Sequence, residues 1–452
     1  MRAHVHVSKI DDYDEDLIYA NLDDTIFESI NKTDTVVIKP NWVKESHLYK
    51  PGEWDYIITH PTVITAVLRK VIDRLSDGAR IIITDGPQTD SSFAKIISHY
   101  PVEKWKNLAS KNNIHFEIID LRDDEWINKG DVNIRRIKLA GDPGGKVVTN
   151  LSGDISEFHN HIKSKRGYYG ADYNIAEANK AHDGINNWYS VSNSVISADV
   201  FINVPKLKTH KKAAITCCLK NLVGINTYKN FLPHYSEGGP EEKGDQFPVN
   251  SSKSQLEGHL MAFIKQNLIR NVVLARLFRP VKQVGKVLFG DTNKVIRSGN
   301  WYGNDTIWRM ILDLNKILFY ANPNGSLRND NWINAKKYIG IVDGIKGGDG
   351  NGPMAPDPVG MGYLFQGLNP VAIDSVCAVL MGFDPNKIPS VGFAFHIKRY
   401  PVCDFNFQDI QVKYDGRYFG IDDPYLRELI VPFNPHFGWA GHIETTQYGV
   451  RD

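Results

Sequence analysis

Four short apolar runs each end in residues that can carry charge or move a proton. Thr35–Lys39 (TVVIK) ends in Lys39 and passes through Pro40 to Asn41. Arg80–Thr84 (RIIIT) leads to Asp85. Asp199–Val204 (DVFINV) leads to Lys206, Lys208 and His210, and Tyr338–Val342 (YIGIV) leads to Asp343. Short β-branched runs bounded by such breaks are buried strands. If the four are parallel in one sheet, their carboxyl ends share an edge. Ligands of open α/β sheets bind in the crevice outside that edge. Residues hundreds of positions apart then converge on one site. The plainer alternative is that strand-to-loop junctions are polar in any protein.

The most basic spot in the core is Lys206 to Lys212 (KLKTHKK). Between Val200 and Ser236 there are six lysines and no acid. In extended backbone Lys206, Lys208 and His210 point to one side. Facing the crevice, they make a pocket for a phosphate or a carboxylate. The helix expected over Ala213–Leu222 adds its N-terminal dipole. Lys220 and Asn221 lie further along it. A lysine in a pocket loses its proton easily, so it can act as a base or a covalent amine. The candidate catalytic residues are therefore Lys39, His210, Asp85 and Lys220. The candidate substrate ligands are Asn41, Lys206, Lys208, Asn221, Gly344 and Gly352. The two glycines bound a loop with five glycines in nine residues, whose N–H groups can approach a ligand. The loop is neither a Walker A nor a GxGxxG motif. Asp85, Asp343 and Asp349 are the candidate oxygen ligands of a divalent cation. A solvated cationic loop and a flexible surface turn are the competing readings of these two segments.

The elements that must position these groups are legible. TVVIK, the helical repeat that starts at Thr59-His60-Pro61, and RIIIT form a βαβ unit. Pro61 sits at a favoured first-turn position. HFEIID (115–120) and VAIDSVCAVL (371–380) supply another strand and a helix. The expected architecture is α/β: a mostly parallel sheet flanked by helices, with an inserted helical lobe. The expected divisions are 1–235 for the first part of the core, 236–331 for the lobe, and 332–452 for the second part with an aromatic-rich tail. The lobe is basic, with eight Lys/Arg against Asp291 between Met261 and Ser298.

Composition excludes several classes. The chain has 452 residues, 42% of them hydrophobic, with 53 basic and 52 acidic residues, so it is neither disordered nor a polyelectrolyte that demands nucleic acid. Four cysteines without C-x-x-C spacing make neither a disulfide framework nor an iron–sulfur site. No run reaches the ~18 apolar residues of a spanning helix, and the N-terminus lacks a signal-peptide core. The expected address is the cytoplasm, with no transmembrane segment. The oligomeric state is left open.

VVIKPNWV, THPTVITAVLRKVID, IIITDGP, FINVPKLKTHKKAAITCCLKNLVGI, IVDGIKGGDGNGP and LNPVAIDSVCAVLMG occur in that order. Together they resemble the family called domain of unknown function 362, from about Val36 to Gly382. The matching positions include Lys39, Asn41, Asp85, Lys206, Lys208, His210, Lys220, Asn221, Asp343 and Asp374. Some members of the family carry ferredoxin-type cysteines. This chain lacks them, so no electron-transfer role carries over. The resemblance implies one shared site rather than a particular reaction.

The function expected from the residues is an enzyme acting on a small anionic substrate by Lys/His/Asp acid–base chemistry, with or without a divalent cation. Isomerase, epimerase or lyase chemistry fits better than hydrolysis, because no activated nucleophile is visible. Two alternatives stand beside it. One is a non-catalytic protein that holds an anionic metabolite. The other is a peripheral membrane protein docked by the basic lobe.

Overall fold

The computed structural model describes residues 3–129, 132–170, 174–249, 295–331 and 336–445. The basic stretch from Met261 to Lys294, with the membrane reading placed on it, lies outside the described residues. The main sheet has eleven strands. They are β1 (His4–Lys9), β2 (Thr35–Pro40), β3 (Arg80–Asp85), β4 (His115–Asp120), β5 (Val200–Val204), β6 (Lys206–His210), β7 (Ala214–Thr216), β8 (Lys337–Asn351), β9 (Ala355–Gly367), β10 (Gln411–Tyr414) and β11 (Arg417–Gly420). Their order is β11-β10-β1-β9-β8-β5-β2-β3-β4, with β6 joined to β8 and β7. Six of the ten pairings are parallel and four are antiparallel. This is an α/β protein with a mixed, mostly parallel sheet.

Alternation along the strands sorts the core onto two faces. Val36, Ile38, Ile81 and Ile83 pack on one side with Val63, Val67 and Val71 of the helix Pro61–Ile72. Val37, Ile82 and Phe201 pack on the other, with the helices Ile307–Tyr320 and Pro370–Leu380. Ile307–Tyr320 falls inside the stretch expected as an inserted lobe, and it is buried in this core. Lys39 follows Val37 by two residues and Asn203 follows Phe201 by two. The pair are register partners at the carboxyl edge, so both enter the second face. No helix among the described residues is long and apolar enough to cross a membrane.

Pro205 interrupts β5, and the chain resumes as β6 alongside β8. The Asp343 N–H donates to the Pro205 carbonyl at 2.9 Å, and Lys206 sits opposite Asp343. The glycine-rich segment differs from its expectation as a ligand-facing loop. Residues up to Asn351 are strand, paired with β9 along its length. Four of its five glycines allow close packing against neighbouring atoms, and Gly350, at φ +68° with nothing within 4 Å, holds a left-handed backbone position. A Cβ on Gly344 would lie 2.9 Å from the Tyr363 carbonyl and from the Phe365 ring, and one on Gly352 would lie 1.8 Å from the Thr209 carbonyl.

Gly344→Ala should therefore destabilise the protein by about 1–3 kcal/mol, the usual cost of overpacking. Gly360→Ala, which meets nothing within 4 Å, is the matched control. Urea denaturation should show a lower midpoint for the first only. Equal midpoints would restore the loop reading.

Candidate functional site

The carboxyl edge of β2 and β3 carries a buried ion pair. Lys39 Nζ lies 2.8 Å from Asp85 Oδ1, and the side chains are 0% and 4% exposed. Asp85 also accepts the N–H of Trp42 at 2.7 Å and of Gly86 at 2.8 Å. Lys39 Nζ donates to the Pro40 carbonyl as well. Burial pulls the Lys39 ammonium below its ordinary range, and the Asp85 charge opposes that shift. Gly224 closes over the pair: a Cβ there would stand 1.9 Å from Asp85 Oδ1 and 2.8 Å from Lys39 Nζ. Lys229 Nζ donates to the Gly86 carbonyl at 2.8 Å.

A second pair sits where β6 meets β8. Lys206 Nζ is 2.5 Å from Asp343 Oδ2, and both side chains are fully buried. Lys206 also donates to the Tyr13 hydroxyl at 2.7 Å, which donates in turn to Asp343 Oδ1 at 2.9 Å. The His60 N–H caps Asp343 Oδ2. Burial and the Asp343 charge hold the Tyr13 phenol well above its usual range. His60 stacks on Tyr13 at 3.6 Å, and burial lowers its imidazole to about 4.

Lys208 lies between the two pairs. It is fully buried and donates to Asn41 Oδ1 at 2.8 Å and to the Ile57 carbonyl. Burial, then Lys206 and Lys220, push its ammonium well below the ordinary range. Amides link the groups: Asn41 Nδ2 donates to Asn221 Oδ1, and Asn221 Nδ2 to Asn203 Oδ1. Thr59 ties the edge together, accepting from the Asn41 N–H and donating to the Val204 carbonyl.

Lys220 differs from every lysine above. Its ammonium makes no hydrogen bond or ion pair among the described residues, and it is partly exposed. Burial, then Lys229 and Lys39, lower it to about 7, with Asp85 opposing. The expected helix over Ala213–Leu222 is shorter than predicted: β7 occupies Ala214–Thr216, and the helix is Cys218–Asn221. Its first N–H groups, of Cys218 and Leu219, donate to the Asp374 carboxylate at 2.8 and 3.0 Å. Asp374 thus pins the turn that presents Lys220 and Asn221. Cys217 and Cys218 place their thiols within 4.8 Å of that carboxylate. Asp374 is one of the positions that carry the family resemblance, but nothing in its own segment assigns it this anchoring. The signal was an acid on the helix Pro370–Leu380 that no lysine neighbours in sequence.

His210 is held in one tautomer. Its Nδ1 accepts the N–H groups of Lys212 and Ala213, both at 3.1 Å. A nitrogen that accepts twice carries no proton, so the neutral ring is protonated at Nε2. Burial, then Lys220, keep the ring neutral well below its usual range. His210 is a fixed N–H donor.

The structure thus brings Lys39, Asn41, Asp85, Lys208, His210, Lys220 and Asn221 to one edge of the sheet, with the Lys206–Asp343 pair beside them. It does not gather Asp85, Asp343 and Asp349 into one ligand set. The first two are each committed to a lysine. Asp349 accepts from the N–H and side chain of Asn434 at 3.1 and 2.8 Å.

This is an α/β protein with a buried, lysine-rich cluster on the carboxyl edge of its parallel strands. The family model described as domain of unknown function (DUF362) matches residues 36–142 and 166–379, and the chain belongs to that family. No curated protein sequence matches it. Among solved structures it is similar to a protein from Thermotoga maritima, with 10% identity and a TM-score of 0.34, over 82% of this chain and 60% of that one. It is also similar to the lactate racemase apoprotein from Thermoanaerobacterium thermosaccharolyticum, with 12% identity and a TM-score of 0.27, over 74% of this chain and 50% of that one. The chain spans less than two thirds of the length of either.

Removing one partner of a buried pair leaves an uncompensated charge, which costs about 3–5 kcal/mol. Asp85→Asn should lose stability on that scale in denaturant titration. Gly224→Ala should shift stability in the same direction, because its methyl displaces Asp85. An Asp85→Asn variant as stable as the parent would show that Lys39 needs no counter-ion.

Proposed function

We propose that this protein is an enzyme that acts on a small phosphate- or carboxylate-bearing substrate by proton transfer, with Lys220 as the group that moves the proton. The observation that carries the reading is the isolation of Lys220. It is repelled by Lys39 and Lys229, it has no hydrogen-bond partner among the described residues, and the acid that offsets them, Asp85, is already paired with Lys39. An arriving anion supplies the missing counter-charge.

The other candidates have different work. Lys39 and Asp85 neutralise each other in a closed site and set its field. His210 donates from Nε2 and has no free basic nitrogen. Cys217 and Cys218 are fully buried, and burial drives their thiols well up, so neither is a nucleophile. An amine titrating near 7 populates both protonation states, as a group must when it removes a proton from carbon and returns it. That favours isomerase, epimerase or lyase chemistry. Charge that develops on the substrate is met by Lys208, whose ammonium form an anion stabilises.

The test uses sulfate, whose charge is constant across neutral pH. Lys220 with a pKa of about 7 is mostly charged at pH 6 and mostly neutral at pH 8. Calorimetry should show sulfate binding about tenfold more tightly at pH 6 than at pH 8, as the change in protonated fraction requires. Lys220→Met should abolish both the affinity and its pH dependence. Equal sulfate affinity in Lys220→Met would overturn the assignment.

A further inference from the structure

Two histidines stand beside the lysine cluster, and they carry their hydrogens on opposite nitrogens. His210 presents Nε2–H, as its two backbone contacts require. His234 lies on the strand Pro233–Ser236, and its Nδ1 is 2.9 Å from the Leu232 carbonyl. A carbonyl only accepts, so the hydrogen is on Nδ1, and Nε2 of the neutral ring carries a lone pair. That nitrogen has no partner among the described residues, and His234 is partly exposed. The Lys212 ammonium stands 4.6 Å from the centre of the Tyr235 ring, which ties this strand to the turn after His210. On the other side Asn304 Nδ2 donates to the His234 carbonyl at 3.0 Å. Burial, then Lys212 and Lys220, with Lys229 behind them, keep the ring neutral well below its usual range. A charge on His234 bears in turn on His210.

An arriving anion changes which groups can act as bases. It favours the ammonium form of Lys220, so with an anion in place Lys220 holds a proton to give. A proton that leaves the substrate then needs another acceptor. Lys39 and Lys206 are committed to their carboxylates, and Lys208 to Asn41 and the Ile57 carbonyl. The lone pair of His210 is taken by two backbone N–H groups. Among these groups the open lone pair is that of His234 Nε2. The same anion offsets the lysine charges that oppose its protonation, so this base strengthens when substrate binds.

We infer that His234 is a second catalytic residue, the base whose Nε2 takes the substrate's proton while the Lys220 ammonium returns one. The breaking bond leaves its electron pair on the substrate, and the new bond joins an electron pair of the substrate to the Lys220 proton. The substrate loses one proton and gains one, and His234 and Lys220 then recover their starting forms by exchange with water. This rests on the reading of Lys220 and assigns the half of the transfer that a charged lysine cannot perform.

Diethyl pyrocarbonate acylates an imidazole through its lone pair, so it separates the two histidines. On the full chain at about pH 6, where Lys220 is mostly charged, peptide mass mapping should find the ethoxycarbonyl group on His234 and none on His210. Exposed His159 is the control for the reagent. Sulfate at about ten times its Kd should slow labelling of His234 about tenfold, because about a tenth of the sites stay free. His159 should be unaffected. In Lys220→Met the rate at His234 should be the same with and without sulfate. A histidine that only packs is neither labelled nor shielded. Unlabelled His234 beside labelled His159 overturns the inference, as does label on His210 in its place. Labelling that sulfate leaves unchanged, while calorimetry shows sulfate bound to the parent, overturns this inference and spares the reading of Lys220. Parent protein that binds no sulfate overturns both.

Discussion

The structure depends on the pairing of Lys39 with Asp85 inside a closed sheet edge. A lysine with no solvent contact is tolerated because a carboxylate lies 2.8 Å away and two backbone N–H groups hold that carboxylate in place. The consequence reaches beyond the pair. Asp85 is the acid felt by Lys39, Lys208 and Lys220 together, and it is committed to the first. The site keeps cations whose balance is incomplete. A core that wanted only stability would not place a lone ammonium beside two others, because like charges in a poorly solvated place repel strongly. That imbalance is the physical reason to expect an anion.

The fold achieves the arrangement with three devices. Parallel strands β2, β3 and β5 end at one level, so residues separated by more than a hundred positions become neighbours. Pro205 ends β5 and lets the chain restart as β6, which puts Lys206 against Asp343 and leaves Lys208 between the two ion pairs. The Asp374 carboxylate, reaching from the helix Pro370–Leu380, fixes the short turn at Cys218. Each device constrains backbone rather than a single side chain. Glycines at 224, 344 and 352 allow the approaches those constraints require.

Much of this was legible in the residues. The strand ends at Lys39, Asp85, Lys206 and Asp343 were identified because β-branched runs stop at them, and the sheet does align them. The βαβ unit with Pro61 at its helix start is present. What the sequence concealed was partnership. Nothing in the spacing shows that Asp85 belongs to Lys39 and Asp343 to Lys206, so these acids also looked like cation ligands. Pairing is a property of register, which two distant segments settle only when they meet. The glycine-rich segment misled for a related reason. Glycine frees a loop, but it also lets one strand lie close on another, and composition alone does not separate these uses. His210 looked like an acid–base group because its type permits it. Two backbone N–H groups from its own chain fix its tautomer, and they follow from local turn geometry.

The central claim is that Lys220 stands without a counter-ion until a ligand arrives. Its titration can be read directly from the NMR signals of the protein after reductive 13C-dimethylation, with Lys220→Arg as the assignment control. The account predicts a midpoint near neutral pH in the free protein, moving upward when sulfate is added. A midpoint in the ordinary lysine range, or one that sulfate leaves in place, would contradict it.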